Sequence, residues 1–318
     1  MILITGASGF LGQRLVAQAL QQGRAVSALV RRHPLVSDSP VLFHQGDITD
    51  PTTLDEAVHG VEAVIHAAAT TSETAPDEAV SWRTNVEGTR NLLAACRKAG
   101  VSRWIQISSL SANPANSSVY GRTKLAADEE VRRSGLRWTI LQPGTIYGSG
   151  SRGLFAKMVR LTQTLPAVPV LGPGTQSMRP IHVDDTALAA LACLDHEATV
   201  GQTYALGGDD VITFNDFLRG IVLVQGKRKP LVHIPLWFCF PVARVLSFFL
   251  KNPPVTVDNL VGLRQMTAPD ITSAQRDFGF APRTFAEGLQ QTQTNEPRPS
   301  GGGVPAAAPP RSRLVESS

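Results

Sequence analysis

Up to about Tyr147 the chain alternates short, nearly unbroken apolar runs with stretches of helical periodicity, and this alternation constrains its fold more than any other feature. The runs predict strands at Ile2–Thr5, Ala25–Val30, Val41–Gln45, Ala63–His66, Trp104–Ser108 and Trp138–Gln142. Between them, helices are expected at Leu11–Gln22 (ended by Gly23), Thr52–Val58 (capped by Thr52 or Thr53), Ala79–Lys98 (closed by Gly100) and Tyr120–Arg133. A strand that is apolar on both faces must be covered on both faces, and strands joined through helices run parallel. The chain is therefore expected to form an α/β, doubly wound parallel sheet.

Beyond Tyr147 the pattern loosens. Residues 148–153 are Gly/Ser-rich, and Pro166, Pro169 and Pro173 punctuate the next stretch, with helices expected at Leu154–Thr164, Asp184–Leu194 and Phe214–Val224. This organisation predicts an α/β core over 1–147, a smaller C-terminal lobe over 148–294 that shares core with it, and a disordered tail over 295–318. The tail is Pro, Gly, Ala and Ser, too poor in apolar side chains to offset its ordering entropy. A net charge of +4, with no basic stripe interleaved with aromatics, argues against nucleic acid. Cys96, Cys193 and Cys239 have neither metal-ligand nor disulfide spacing and fit a reducing cytosol. Because Met1–Thr5 already reads as a strand, no targeting segment is expected, and the localisation predicted is cytoplasmic.

The turn after the first strand is Gly6-Ala7-Ser8-Gly9-Phe10-Leu11-Gly12. Glycines at these spacings, between a strand and a helix, allow a tight turn, close backbone approach to a pyrophosphate, and close packing of helix on sheet. The Gly-x-x-Gly-x-x-Gly spacing differs from the Gly-x-Gly-x-x-Gly of ordinary dinucleotide-binding dehydrogenases.

Several further segments point the same way. Gly46-Asp47-Ile48-Thr49-Asp50, His66-Ala67-Ala68-Ala69, Leu141-Gln142-Pro143-Gly144 with Tyr147-Gly148, and Ile181-His182-Val183-Asp184-Asp185 come after the loop in order. Over residues 1 to about 190 the chain resembles the extended short-chain dehydrogenase/reductases, the NAD(P)-dependent epimerase/dehydratase superfamily. The resemblance implies a Rossmann-like core. It implies cofactor contacts from Gly6, Ser8, Gly9, Phe10, Leu11 and Gly12, adenine contact at Asp47 and Ile48, a strand end under the cofactor at Ala67 and Ala68, and Pro143 near the nicotinamide. At the end of the second strand, where NAD enzymes carry an acid for the ribose 2′-hydroxyl, the chain carries Arg31 and Arg32. A guanidinium there favours a 2′-phosphate, so NADP is expected over NAD; the alternative is two solvated basic residues.

Tyr120-Gly121-Arg122-Thr123-Lys124 sets a phenol and an ammonium on one helix face. Free tyrosine has a pKa near 10, and an adjacent cation favours the phenolate. In the family this segment resembles, the pair is catalytic and the lysine also holds the nicotinamide ribose. The third member is a serine at the end of the fifth strand; Ser108, Ser109 and Ser111 are candidates, with Ser109 favoured. Asn85 matches a family asparagine below the site, for which a water relay and a backbone hydrogen bond are equally open. His66, His182 and His233 follow no metal-binding pattern, and no metal is expected.

These features imply an oxidoreductase or epimerase acting on a hydroxyl or carbonyl of a small molecule. The alternative is a non-catalytic assembly or sensing module with a structural NADPH, like the accessory subunit of respiratory complex I that the C-terminal part also resembles. Sugar-nucleotide members carry an Arg three residues before the Ile of Ile-His-Val-x-Asp; here that position is Met178, and Arg179 comes one residue late. Residues 231–250 are the most apolar stretch, broken by Pro235 and Pro241. A helix packed on the core is favoured there, with a lid over an apolar substrate or a membrane-surface contact as alternatives. A homodimer is compatible with all of these readings.

Overall fold

The computed structural model describes residues 1–32, 39–71, 74, 77–151, 153–238, 241 and 267–294. Its strands are β1 (Ile2–Thr5), β2 (Val26–Val30), β3 (Val41–Gln45), β4 (Ala63–His66), β5 (Arg103–Ile107), β6 (Arg137–Pro143), β7 (Ile146–Tyr147), β8 (Val168–Leu171), β9 (Ser177–Met178), β10 (Ile181–His182), β11 (Gln202–Leu206), β12 (Ile212–Thr213) and β13 (Leu231–Ile234). The central element is a seven-stranded parallel sheet, in the order β11-β6-β5-β4-β1-β2-β3. Successive residues feed opposite cores. Ile2, Ile4, Ile65 and Ile105 pack on one face, against Leu15 of α1 (Phe10–Gln21) and Val183 and Leu191 of α6 (Val183–Asp195). Leu3, Val64 and Trp104 pack on the other, with Leu92 of α3 (Gly88–Ala99) and Val131 of α4 (Val119–Arg132). Both faces of the sheet are covered, which is why the strands read as unbroken apolar runs; each such side chain contributes roughly 1.5–3 kcal/mol on burial.

Two of the expected helices are different in the structure. In place of a helix over Thr52–Val58 there is a single 3-10 turn, Pro51–Thr53, followed by turns. Its cap is Asp50, whose carboxylate accepts from the Thr52 backbone N–H at 3.1 Å, so neither Thr52 nor Thr53 serves. The helix expected over Ala79–Lys98 divides into α2 (Glu78–Trp82) and α3, joined by a π-turn over Arg83–Glu87. Gly100 closes α3 in the left-handed conformation, φ 76°.

The smaller lobe has its own aromatic core. Tyr147, Phe155, Phe217 and Phe285 meet around α5 (Leu154–Thr164), α7 (Phe214–Val224) and the C-terminal helix Phe285–Thr294, with Tyr147 and Phe285 ring centroids 5.1 Å apart. The chain returns to the first unit through β11, which pairs with β6, and through α6, which packs on α1. Asp185 of α6 is gripped by Arg283, whose Nε lies 3.0 Å from both carboxylate oxygens, and Arg14 of α1 reaches Asp184 at 3.1 Å. His182 caps α6, its Nδ1 accepting from the Asp184 backbone N–H at 3.2 Å. The Ile181–Asp185 segment is thus a clamp between units.

The apolar stretch from residue 231 opens as a strand, β13 (Leu231–Ile234), parallel to β8 (Val168–Leu171). Trp237 and Phe238 after it are exposed. The expected core-packed helix is corrected over 231–234, while residues 236–238 are helical; Cys239, Phe240, 242–250 and the tail lie outside the described residues. Among the described residues, no helix is long and apolar enough to cross a membrane.

Candidate active site

The order of the sheet reverses between β1 and β4, and open α/β sheets bind ligands at such a point, beyond the carboxyl ends of the strands. The glycine turn lies at this point. Gly6 has φ +69°, and a Cβ on it would sit 2.8 Å from the backbone of Ala67 and Ala68. A Cβ on Gly12 would sit 2.0 Å from the Gly6 carbonyl oxygen. Neither position accepts a side chain, so the turn is held flat against the end of β4 and against its own helix. Gly9 is the N-cap of α1 and offers no side chain to the first-turn N–H groups. Those donors, with the positive end of the helix dipole, suit a pyrophosphate. Ser8 is exposed and Phe10 half-buried at this mouth, while the side chain of Leu11 belongs to the core.

Under the turn, His66 is fully enclosed. Its Nδ1 lies 2.7 Å from Thr5 Oγ1 and its Nε2 3.1 Å from Thr89 Oγ1, and Thr5 Oγ1 also accepts from the Ala68 N–H at 3.3 Å. Burial, aided by Lys124, pulls the imidazole down to about 3, so it is a neutral strut beneath the cofactor crevice. Asp47 closes a local turn, accepting from the backbone and hydroxyl of Thr49, both at 2.9 Å. Ile48 is buried beside it, its carbonyl accepting from Asn91 Nδ2 at 3.1 Å.

Asn85 sits in the π-turn and is fully used. Its Oδ1 accepts from the Thr70 N–H at 2.8 Å, and its Nδ2 donates to the Thr70 carbonyl at 3.0 Å and to Thr123 Oγ1 at 3.0 Å. Of the two roles open in the sequence, this geometry supports the backbone one: Asn85 ties the segment after β4 to the helix carrying Tyr120.

That helix, α4, starts at Ser118, whose hydroxyl accepts from the Gly121 N–H at 3.0 Å. One face of α4 grips the end of β5 at three consecutive residues. Lys124 Nζ donates to the Ile107 carbonyl at 2.7 Å, Ser108 Oγ donates to Asp128 Oδ2 at 2.6 Å, and the Ser109 hydroxyl is within hydrogen-bonding reach of the Tyr120 phenol. Of the three candidate serines, Ser109 is therefore the one beside Tyr120. Ser108 turns into the core, and the Ser111 N–H donates to Ser109 Oγ at 3.1 Å. Burial pushes the Tyr120 phenol up; Ser109 opposes this and Asp128 adds to it. Burial pulls the Lys124 ammonium down, and Asp128 opposes that. Pro143 ends β6 next to this cluster, its carbonyl accepting from the Leu110 N–H at 3.1 Å. Asp128 is not among the residues the sequence motifs single out; the available signal was an acid one helical turn beyond Lys124 on the Tyr120 face.

The model of the NAD dependent epimerase/dehydratase family matches residues 2–207. The chain is similar to a ceramide reductase of Caulobacter vibrioides, 34% identical over 242 residues, covering 74% of each protein. It is also similar to a UDP-glucose 4-epimerase of Vibrio cholerae, 26% identical over 316 residues, covering 92% of this chain and 94% of that one. Among solved structures it resembles MoeE5 in complex with UDP-glucose and NAD, with TM-score 0.73 and 26% identity over 92% of this chain and 96% of that one. The nucleotide in that relative overturns the expectation of NADP from Arg31. Arg31 and Arg32 are both exposed at the end of β2. With its glycine turn at the switch point of a parallel sheet and a family model spanning most of its length, the chain belongs to the NAD dependent epimerase/dehydratase family and is an NAD(P)-dependent oxidoreductase or epimerase.

Proposed function

We propose that the enzyme transfers hydride between NAD and a secondary hydroxyl or its carbonyl, with Tyr120 handling the proton, Lys124 holding the ribose and Ser109 orienting the substrate oxygen. The carrying observation is the grip of α4 on the end of β5, which gathers phenol, hydroxyl and ammonium at one strand end. The turn Gly6–Gly12, Asp47–Ile48, Ala67–Ala68 and Pro143 would line the cofactor, with Asn85 bracing the cradle from beneath. When bound, the nicotinamide supplies or accepts the hydride. In the reducing direction, the Tyr120 phenol, kept protonated by burial, gives its proton to the carbonyl oxygen as the carbon gains hydride. Ser109 donates a hydrogen bond to the same oxygen and stabilises the charge that develops there. We read residues 1–147 as the cofactor unit and 148–294 as the substrate lobe, which lends β11 and α6 back to the sheet.

For the substrate we favour a carbonyl compound with an apolar body over a sugar nucleotide. Met178, at the place of the diphosphate-binding arginine, is buried in the aromatic core of the small lobe. Arg179 cannot substitute easily: its Nη1 already donates to the carbonyls of Gly208 and Asp209, at 3.1 and 3.2 Å. The ceramide reductase supports the same reading, whereas the UDP-glucose relatives favour the other, at lower identity. The test is NADH oxidation with a long-chain oxo-lipid, NAD reduction with a hydroxysteroid and, because epimerisation leaves NAD unchanged overall, product analysis of UDP-glucose incubated with the enzyme and NAD. Turnover of UDP-glucose alone would reverse the substrate assignment.

A further inference from the structure

The reaction-centre helix carries a buried acid that no step of the proposed reaction uses. Asp128 is 0% exposed and lies one helical turn beyond Lys124, two beyond Tyr120. Its Oδ2 accepts from Ser108 Oγ at 2.6 Å and from Gln142 Nε2 at 3.4 Å, while its Oδ1 accepts no hydrogen bond. A carboxylate enclosed with one oxygen unmatched is costly unless an opposite charge stands near. Lys124 is that charge: it is 3% exposed, and its one hydrogen bond shown is to the neutral Ile107 carbonyl, at 2.7 Å. Each group therefore lacks full compensation without the other.

We infer that Asp128 is a positioning residue for Lys124: its buried carboxylate is the counter-charge that holds the lysine ammonium at the site and, through Ser108, anchors the strand end that carries Ser109. The inference rests on the proposed roles of Tyr120 and Lys124. Burial raises Asp128, against the pull of Lys124, Ser108 and Gln142, and burial lowers Lys124, against Asp128. Each group thus offsets part of the other's desolvation. The titratable and charged groups facing the pair are few. Tyr120 shares the helix face, Arg132 faces Asp128 from the next turn, and His66 approaches Lys124 from β4 but is neutral, its value being about 3. The β6 side presents the uncharged Gln142, and the π-turn presents Asn85, bound to Thr123.

Asp128→Asn keeps an acceptor for Ser108 and removes the charge. NAD affinity, measured by calorimetry from pH 6.5 to 9.5, has an alkaline limb wherever the ribose-holding ammonium loses its proton. In Asp128→Asn that limb is expected at least one pH unit lower than in the wild type, with affinity at pH 9 reduced at least tenfold, and Asp128→Glu restores most of the loss. Ser108→Ala, which keeps the charge and loses the anchor, should lower the Tm and leave the limb where it was. An unchanged limb in Asp128→Asn overturns the inference. Lys124→Met separates the two readings: if it binds NAD like the wild type, the ribose role of Lys124 fails; if it loses affinity while Asp128→Asn does not, only the role of Asp128 fails. Should Asp128→Asn not fold, carbon-13 NMR of the wild type decides. The Lys124 Cε resonance is expected to inflect where the Asp128 carboxyl titrates, and a resonance without that inflection overturns the inference.

Discussion

Tyr120→Phe removes the transferable proton and keeps the ring that fills its place on α4. Turnover should fall by roughly 10²–10⁴, the usual loss for a general acid-base group, with the Kd for NAD unchanged by calorimetry. The pH dependence has a defined sign. Burial raises the phenol from its ordinary value near 10, so the protonated form persists through the neutral range. Carbonyl reduction, which needs the proton, should hold its rate across pH 6–9, and alcohol oxidation, which needs the phenolate, should climb over the same range. Profiles of the opposite slope would remove Tyr120 from this role. That Tyr120, Lys124 and Ser109 would meet at the end of β5 was legible because residue type, spacing and position after an apolar strand coincide. Arg31 misled because a basic side chain has the same letter whether it is preset around a phosphate or merely solvated.

At the scale of the element, the glycine turn makes two different demands. A Cβ on Gly9 would stand 3.0 Å from the Gly6 carbonyl oxygen, tight but tolerable, whereas one on Gly12 would stand 2.0 Å from it. Gly9→Val should therefore abolish NAD binding by calorimetry with little change in Tm, because its branches occupy the face where the pyrophosphate approaches. Gly12→Ala should instead lower the Tm or prevent folding, since α1 must move off the turn. Equal loss of stability in both variants would refute this division. Strands β1, β3 and β4 ended where their apolar runs ended. The π-turn did not show, because its burial of Asn85 and Val86 continues the apolar face of the flanking helices. The π-turn goes with a set of long-range bonds, from Asn85 to Thr70 and Thr123, that no local window contains. The missing Thr52–Val58 helix has a similar cause. Thr53 Oγ1 donates to the carbonyls of Asp47 and Asp50, at 3.2 and 2.9 Å, and holds the segment in turns.

Across the whole molecule, two enclosed histidines make the fold acid-sensitive. His66 is held at about 3 by burial and Lys124, and His182 at about 4 by burial and Arg283. Both folded values lie below the ordinary 6.5, so below that pH the unfolded chain takes up protons that the folded chain refuses. The stability these groups contribute is present above pH 6.5 and is lost as pH falls towards 4, with a slope of up to about 1.4 kcal/mol per pH unit for each histidine. Urea unfolding at pH 7, 5.5 and 4.5 should show this loss, and a flat profile would contradict it. The sheet and its cofactor edge were readable from the sequence because a parallel sheet imposes its periodicity on every strand. The helices of the smaller lobe were readable too, at Leu154–Thr164 and Phe214–Val224, but its specificity was not, because that depends on how single side chains such as Met178 and Arg179 are placed. Hydride transfer assisted by Tyr120 is the central claim, and deuterium tracing tests it most directly: the enzyme is given NADH deuterated at the transferable position and the oxo-lipid, and the product alcohol is analysed by mass spectrometry. The expected product carries one deuterium on the carbinol carbon and forms at a rate at least 10²-fold lower in Tyr120→Phe. Unlabelled product, or labelled product formed by Tyr120→Phe at the wild-type rate, would contradict the claim.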